Sequence, residues 1–221
     1  MAKELIIVGA GGHAHSIVDV VESRDDYRIR GFVDFCAERS DKFSGYEVLG
    51  TLEDLERLMK TQPCDLFVAV GDNFQRHRLY KEIKERSPDA KFAVLIHSNA
   101  YLSPRASTGE GSVLMAGAVV SSGCQMGRGV IINTNSTVDH DGLVCDFVSL
   151  APGVSVGGNV NIGERSSIGL GAKIIHKIDI GSDVCVGAGS LVLKSIERDS
   201  VVVYGSPSNI VRERAPDEQY L

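Results

Sequence analysis

The segment NTNSTVDHDG, residues 133–142, places His140 directly before Asp141. A neutral imidazole has a pKa near neutral pH and can accept a proton from a nucleophile, and a carboxylate bonded to its other nitrogen fixes the tautomer and raises its basicity. The two side chains can cooperate only where the chain bends, because neighbours on a straight strand point to opposite faces. The pair is therefore a candidate general base, and a solvated polar bend is the alternative.

The elements that must position this pair follow a six-residue repeat. Fourteen consecutive sixth positions are aliphatic or methionine: Leu114, Val120, Met126, Ile132, Val138, Val144, Leu150, Val156, Ile162, Ile168, Ile174, Ile180, Val186 and Val192. A period of six fits neither an amphipathic helix nor a simple meander, and it is typical of a parallel β-helix in which each hexad supplies one short strand and one corner. We expect the aliphatic side chains to point inward.

Three hexads make a triangular coil, so residues 96–193 supply about five coils stacked ~4.8 Å apart. His140 and Asp141 follow the inward-facing Val138 and are expected at a corner. A metal site is a second chemistry to weigh, because His176 lies two coils further along the same column. Two histidines ~10 Å apart along the axis cannot share one ion within a chain. The sequence therefore predicts no metal site.

Residues 3–97 alternate between apolar strands and helices, which predicts a small parallel α/β sheet. The expected strands span 3–9, 28–35, 64–71 and 91–97, and the expected helices span 9–23 with its glycine loop, 51–60 with Thr51 as N-cap, and 73–87. The hexad pattern begins near residues 97–104. We therefore divide the chain into an α/β domain, residues 1–97, and a β-helix domain, residues 98–221.

The loop after the first strand could hold a phosphate. Gly9, Gly11 and Ala14 match the G-x-G-x-x-G/A pattern, and Asp34 ends the next strand as a possible acceptor for a hydroxyl. Glycines let a phosphate approach the backbone, and a helix N-terminus favours its negative charge. The domain is about half of a full dinucleotide fold, so a mononucleotide or nucleotide sugar fits better than NAD. A tight turn without a ligand is the alternative.

Composition limits the partners and the compartment. A formal net charge of −6 argues against a nucleic-acid surface, which needs clustered Lys and Arg. The apolar run LIIVGA is too short for a signal peptide or a membrane span, so no membrane association is expected. The five cysteines are widely spaced, odd in number and without a C-x-x-C pair, which fits reduced thiols in the cytoplasm: Cys36, Cys64, Cys124, Cys145 and Cys185.

A set of motifs in order covers nearly the whole chain: GAGGHA, GFVDF, VAVGDN, NTNSTVDHD, DFVSLAPGVSVGGNVNIGE, VGAGSLVLKSI and VVVYGSPSNIVRE. Together they resemble the sialic-acid O-acetyltransferase and bacillosamine-type nucleotide-sugar N-acetyltransferase family. Its members are hexapeptide-repeat acyltransferases with a left-handed β-helix, typically trimers that bind acyl-CoA between neighbouring β-helices. The resemblance implies acetyl-CoA as co-substrate, no metal, a homotrimer and a nucleotide-linked amino sugar as acceptor.

The same resemblance assigns residues by position. It implies His140 as the general base, Asp141 as the acid that orients it, and Asn133 near the reacting group. The implied nucleotide-sugar pocket contains Gly11, Gly12, His13, Asp34 and Gly71, and the residues implied to line acetyl-CoA are Ser149, Leu170 and Ala188. The stretch around Pro207 resembles the adenine end, where the basic residues would suit the CoA phosphates: Lys173, Lys177, Lys194, Arg212 and Arg214.

One position departs from the family pattern. Some relatives carry a second histidine where this chain has Ser149, and that histidine donates a hydrogen bond towards the thioester carbonyl. Serine is shorter, so a backbone N–H is expected to carry more of the oxyanion stabilisation here.

Three functions remain open from the sequence. The leading hypothesis is direct acetyl transfer from acetyl-CoA to the amino group of a nucleotide-activated 4-amino-dideoxysugar, with a histidine base, for surface glycan synthesis. The alternatives are an O-acetyltransferase acting on sialic acid or another sugar hydroxyl, and a non-catalytic trimer that binds nucleotide sugars.

Overall fold

The computed structural model describes residues 2–34 and 42–219. The amino-terminal part is a sheet in the order β3-β4-β2-β1-β5, parallel except for the β3–β4 hairpin. Its strands are β1 (Lys3–Val8), β2 (Tyr27–Val33), β3 (Lys42–Phe43), β4 (Tyr46–Gly50) and β5 (Asp65–Val68). Its helices are α1 (Gly12–Glu22), α2 (Leu55–Thr61), preceded by a 3₁₀ turn at Leu52–Asp54, and α3 (Asn73–Arg86).

The interior strand β1 is buried on both faces over Leu5 to Val8, as its apolar sequence predicts. Leu5 and Ile7 join a core that includes α1, whereas Ile6 and Val8 join a second core that includes residues of α2 and α3. Helices therefore cover both sides of the sheet. Among the described residues, no helix combines the length and apolar character needed to cross a bilayer.

The carboxy-terminal part is a parallel β-helix of two-residue strands. These are β6 (Leu95–Ile96), β7 (Tyr101–Leu102), β8 (Ser107–Thr108), β9 (Val113–Leu114), β10 (Val119–Val120), β11 (Gln125–Met126), β12 (Ile131–Ile132), β13 (Thr137–Val138), β14 (Leu143–Val144), β15 (Ser149–Leu150), β16 (Ser155–Val156), β17 (Asn161–Ile162), β18 (Ser167–Ile168), β19 (Lys173–Ile174), β20 (Asp179–Ile180), β21 (Cys185–Val186) and β22 (Leu191–Val192). A hairpin of β23 (Val201–Gly205) and β24 (Ser208–Glu213) follows them.

The strands form three faces of a prism. Face 1 contains β6, β9, β12, β15, β18, β21 and the final hairpin; face 2 contains β7, β10, β13, β16, β19 and β22; face 3 contains β8, β11, β14, β17 and β20. Each strand pairs with the strand 18 residues later, as Val120 pairs with Val138. The fourteen aliphatic or methionine residues of the six-residue repeat all lie in one core and are at most 4% exposed. The predicted triangular coil with inward aliphatic side chains is confirmed.

Buried serines link successive coils of the prism. The hydroxyl of Ser112 donates to the carbonyl of Gly127 and accepts from the backbone N–H of Val130. Ser166 makes the same pair of bonds to the carbonyl of Gly181 and the N–H of Val184. The hydroxyls of these two serines therefore satisfy corner backbone groups of the prism that water cannot reach.

Two sequence expectations about the α/β part need correction. The segment 91–97 is not a fourth strand of that sheet: Phe92 bridges to Leu66 at the sheet edge, and Leu95–Ile96 then pair with Val113–Leu114 of the β-helix. The β3–β4 hairpin was not predicted at all. The expected end of the second strand at Phe35 lies outside the described residues, as does Cys36. The division between residues 97 and 98 stays a prediction.

Candidate active site

His140 and Asp141 lie at the corner between β13 on face 2 and β14 on face 3. Asp141 has a left-handed backbone, with φ 58°, and this turn brings its carboxylate beside the imidazole. Nδ1 of His140 and Oδ2 of Asp141 are 2.9 Å apart. The hydrogen bond that Nδ1–H of His140 donates to Asp141, and then the charge of Asp139, raise the pKa of His140 above its ordinary value. We call this corner the His–Asp edge.

The bond to Asp141 leaves Nε2 of His140 as the basic nitrogen, because a neutral imidazole carries one N–H and one lone pair. The side chains of His140 and Asp141 are 56% and 61% exposed, so a substrate can reach them. Within residues 2–34 and 42–219, no three His, Cys, Asp or Glu side chains are grouped so as to hold a metal ion. The pair thus has the geometry of a proton acceptor.

A second feature is a cleft of about 370 Å³ on face 1, bounded by the α/β domain. Six of the residues assigned from the sequence line it: His13, Gly71, Asn133, Ser149, Leu170 and Ala188. The other lining residues come mainly from β15, β18 and β21 and the corners after them. The structure therefore brings together residues expected to bind the sugar and residues expected to bind CoA.

Two buried polar atoms line this mostly apolar cleft. Nε2 of His13 and Oγ of Ser167 have no hydrogen-bond partner among the described residues. Burial, and then the charge of Arg76, lower the pKa of His13 to about 4, so its imidazole is neutral at physiological pH. Buried polar groups are normally bonded, so both atoms are available to a ligand.

The glycine loop lies at the carboxyl end of β1, outside the lining of the cleft. Gly11 caps α1, and a side-chain carbon at Gly11 or Gly12 would meet nothing within 4 Å. Asp34 follows β2 at the same edge of the sheet and is half-buried. The space in front of the helix N-terminus is therefore open, and backbone N–H groups there favour an anion.

Arg76 joins the α/β domain to the β-helix. Its guanidinium is buried, with 1% of the residue exposed, and it donates to the carbonyls of Val70, Gly71, Gly129 and Phe147 at 2.8–3.0 Å. The first two carbonyls belong to the turn after β5 and the last two to corners of the β-helix. Arg76 therefore fixes the position of Gly71, and with it one wall of the cleft.

The His–Asp edge and the cleft are on opposite sides of the prism. His140 and Asp141 are at the corner between faces 2 and 3, and in a triangular prism that corner is opposite face 1, which carries the cleft. Neither residue lines the cleft. One chain therefore does not bring the expected base and the expected CoA site together.

The basic residues expected beside the CoA phosphates do not line the cleft either. Arg212 is paired with Glu218, and Arg214 is buried and donates to the carbonyls of Asp183 and Glu218. Lys173 lies in β19 on face 2. The two arginines are therefore engaged within a single chain, whereas Lys173, Lys177 and Lys194 are exposed, and their role beside the CoA phosphates stays a prediction.

A larger open cleft of about 710 Å³ lies at the other end of the α/β sheet, where Lys3, Asp65 and Lys91 line it. This is the amino-terminal end of β1 and β5. Ligands of parallel α/β sheets bind at the carboxyl ends of the strands, where the glycine loop is. We therefore assign the site to the carboxyl end and to face 1.

Sequence reasoning missed Ser167 and Cys185, which line the cleft beside Ser149. All three occupy equivalent positions in successive coils, in β15, β18 and β21. Because one coil is 18 residues, counting one and two coils onward from Ser149 in the sequence would have identified both residues. Pro152, one coil before Leu170, was missed in the same way.

Comparison with known proteins adds to this geometry. The family model for the PglD N-terminal domain matches residues 4–83. The acetyltransferase domain of PglB from Neisseria gonorrhoeae FA1090, solved with acetyl coenzyme A, has a TM-score of 0.87 and 36% identity, covering 96% of this chain and 100% of that one. The chain belongs to the family of hexapeptide-repeat nucleotide-sugar N-acetyltransferases.

Other members of this nucleotide-sugar N-acetyltransferase family are also similar. PerB from Caulobacter crescentus, in complex with CoA and GDP-perosamine, has a TM-score of 0.86 and 32% identity, covering 95% of this chain and 97% of that one. UDP-N-acetylbacillosamine N-acetyltransferase of Bacillus subtilis (strain 168) is 36% identical over 120 residues, which is 52% of each chain. The match thus spans about half the length of that curated relative. The predicted family and fold are confirmed.

Proposed function

We propose that this chain transfers an acetyl group from acetyl-CoA to the amino group of a nucleotide-activated 4-amino-dideoxysugar, for surface glycan synthesis. The observation that carries the proposal is the 2.9 Å contact between His140 and Asp141, which leaves Nε2 free as a base. Relatives whose structures contain acetyl coenzyme A, or CoA with GDP-perosamine, support the choice of substrates.

The reaction needs one proton acceptor and no covalent enzyme intermediate. The sugar amine attacks the thioester carbonyl, Nε2 of His140 takes a proton from the nitrogen, and the carbon–sulfur bond then breaks. The proton passes to the departing CoA thiolate, so the products are the amide and the free thiol. Asp141 stabilises the imidazolium that forms in between.

The two ligands are assigned to two parts of the site. Gly11, Gly12, His13, Asp34 and Gly71 would hold the nucleotide sugar, with its phosphates at the open N-terminus of α1. The pantetheine arm would lie in the cleft against Ser149, Leu170 and Ala188, and Asn133 would face the reacting group. Ser167 Oγ offers a hydrogen bond to the arm of CoA, since it is buried and unbonded there.

The complete site requires a second copy of the chain, because the base and the cleft are on opposite sides of one prism. Placing the His–Asp edge of one copy against the cleft of the next is a head-to-tail contact, and such contacts form a ring when the rotation between copies closes. We propose a homotrimer, as the family resemblance implies. Leu143 beside the His–Asp edge is 40% exposed and Leu170 at the cleft is 58% exposed, so such a contact would bury both.

We also place the protein in the cytoplasm, where thiols stay reduced. The four described cysteines, Cys64, Cys124, Cys145 and Cys185, are free.

A thiol-release assay with acetyl-CoA tests the function. We expect CoA release with a UDP- or GDP-linked 4-amino sugar from a panel of both, and little release from the His140→Ala variant. If no amino sugar reacts while a hydroxyl acceptor does, the chain is an O-acetyltransferase. If no acceptor reacts and calorimetry detects no acetyl-CoA binding, the chain only binds nucleotide sugars.

A further inference from the structure

The imidazole of His140 lies against the backbone of Gly158, the residue at the same corner in the next coil. A side-chain carbon built on Gly158 would be 2.6 Å from Nε2, 2.7 Å from Cε1 and 3.0 Å from Cδ2 of His140. All three distances are at or below the closest approach that carbon atoms tolerate. The ring therefore fills the space that any side chain at residue 158 would need.

The three distances also show how the ring is turned. A carbon in line with the Nε2 lone pair would be distinctly farther from Cε1 and Cδ2 than from Nε2, yet the three values differ little. The missing carbon is consequently over the face of the ring. The lone pair of Nε2 lies in the ring plane and is not directed at Gly158, so the contact supports the imidazole without blocking the basic nitrogen.

The backbone does not explain a glycine at this position. Gly158 lacks the left-handed φ found at Gly123 and at other corner glycines, so its conformation is open to any residue. The equivalent positions in neighbouring coils carry side chains: Ser122 one coil before His140 and His176 one coil after Gly158. The three atoms nearest to a side-chain carbon at residue 158 would thus all belong to the imidazole of His140.

Two contacts at right angles then define the position of the base. Asp141 bonds Nδ1 in the plane of the ring, and the Gly158 backbone lies against its face. We propose that Gly158 is a positioning residue whose missing side chain lets the His140 imidazole lie flat on the next coil, bonded to Asp141 and with Nε2 directed outward. Its catalytic consequence rests on the proposed function, but the placement of the ring does not.

An alanine at residue 158 would displace the far end of a flexible, exposed side chain and would leave the backbone in place. The fold should therefore survive, while the imidazole rotates away from Asp141. We expect kcat to fall about tenfold or more, because a displaced catalytic group loses rate rather than substrate affinity. The KM values for acetyl-CoA and for the sugar should stay within about twofold.

The test is a double-mutant cycle on the full-length protein, comparing Gly158→Ala, His140→Ala and the double variant by thiol release with acetyl-CoA and a UDP- or GDP-linked 4-amino sugar. If Gly158 acts through the imidazole, the double variant is no slower than His140→Ala alone. Independent, additive losses would overturn the proposal. Ser122→Ala, at the same corner one coil earlier, is the matched control and should keep the wild-type rate.

A second readout needs no activity. An NMR titration of the His140 imidazole should give a lower pKa in Gly158→Ala than in wild type, because the bond to Asp141 that raises it is lost. An unchanged pKa refutes the proposed placement even if no acceptor sugar is ever found. If Gly158→Ala lowers the Tm or prevents folding, adding His140→Ala should restore the fold, and a failure to restore it also counts against the proposal.

Discussion

The His–Asp edge and the cleft differ in almost every physical respect. The edge is an exposed corner made by two coils of the β-helix alone, where a hydrogen bond and a glycine contact hold one base. The cleft is mostly apolar, and it needs both domains, because Gly71 and His13 come from the α/β part. Proton transfer and ligand binding therefore depend on different parts of this chain, so they should respond separately to mutation.

Replacing His140 should have the largest effect. We expect His140→Ala to lower kcat about a hundredfold, near the low end for loss of a general base, because an amine acceptor needs no strong base once neutral. The KM values should change little, since the cleft is untouched. Steady-state kinetics for both substrates check this, with the exposed His176→Ala as control. A raised KM with unchanged kcat would show that the His–Asp edge binds a substrate and takes no part in proton transfer.

Arg76→Met should disturb the cleft and spare the edge. The change leaves four carbonyls without this donor, two of them in buried hydrogen bonds, and we expect the free energy of unfolding to fall by about 3 kcal/mol. The KM for the nucleotide sugar should rise as Gly71 moves, while the pKa of His140 stays the same. Denaturant unfolding and NMR titration measure these. Arg78→Met, on the exposed side of α3, should alter neither quantity.

Asp141→Asn should change the edge alone and shift its pH dependence. The carboxylate raises the pKa of His140, so without it the imidazole loses its proton at lower pH. The acid limb of the kcat/KM profile should therefore move to lower pH, while the maximum falls about tenfold because the imidazolium is no longer stabilised. Asp139→Asn should move the limb less in the same direction. A limb that moves to higher pH would contradict the assignment.

Ser167→Ala should have the smallest effect, confined to the cleft. We expect the KM for acetyl-CoA to rise about threefold as one hydrogen bond is lost, with kcat and the pKa of His140 unchanged. Stability should not fall, because the hydroxyl has no partner among the described residues. Ser155→Ala, an outward serine on face 2, is the matched control. Equal effects of the two variants would show that Ser167 does not bind acetyl-CoA.

The two regions also differ in how well the sequence predicts them. In the β-helix, a period of six and a coil of 18 residues predict the burial of each aliphatic residue and the corner at His140. Counting whole coils onward from Ser149 also predicts that Ser167 and Cys185 line the cleft. Periodicity cannot show that Arg76, within the charged segment NFQRHRLYKEIKER, is buried among carbonyls from distant segments. Periodicity also cannot show that residues 91–96 cross from one sheet to another, because an apolar run does not identify the strand with which it pairs.

We propose that each active site combines the His–Asp edge of one copy with the cleft of another. Mixing two inactive variants tests this arrangement: His140→Ala, which lacks the base, and Ala188→Trp, which fills the cleft from an exposed position. Coexpressed in equal amounts, they should recover about a quarter of the wild-type rate, since that fraction of sites pairs an intact edge with an intact cleft. No recovery in mixed oligomers that are folded and assembled would contradict a shared site and would mean that one chain supplies both parts.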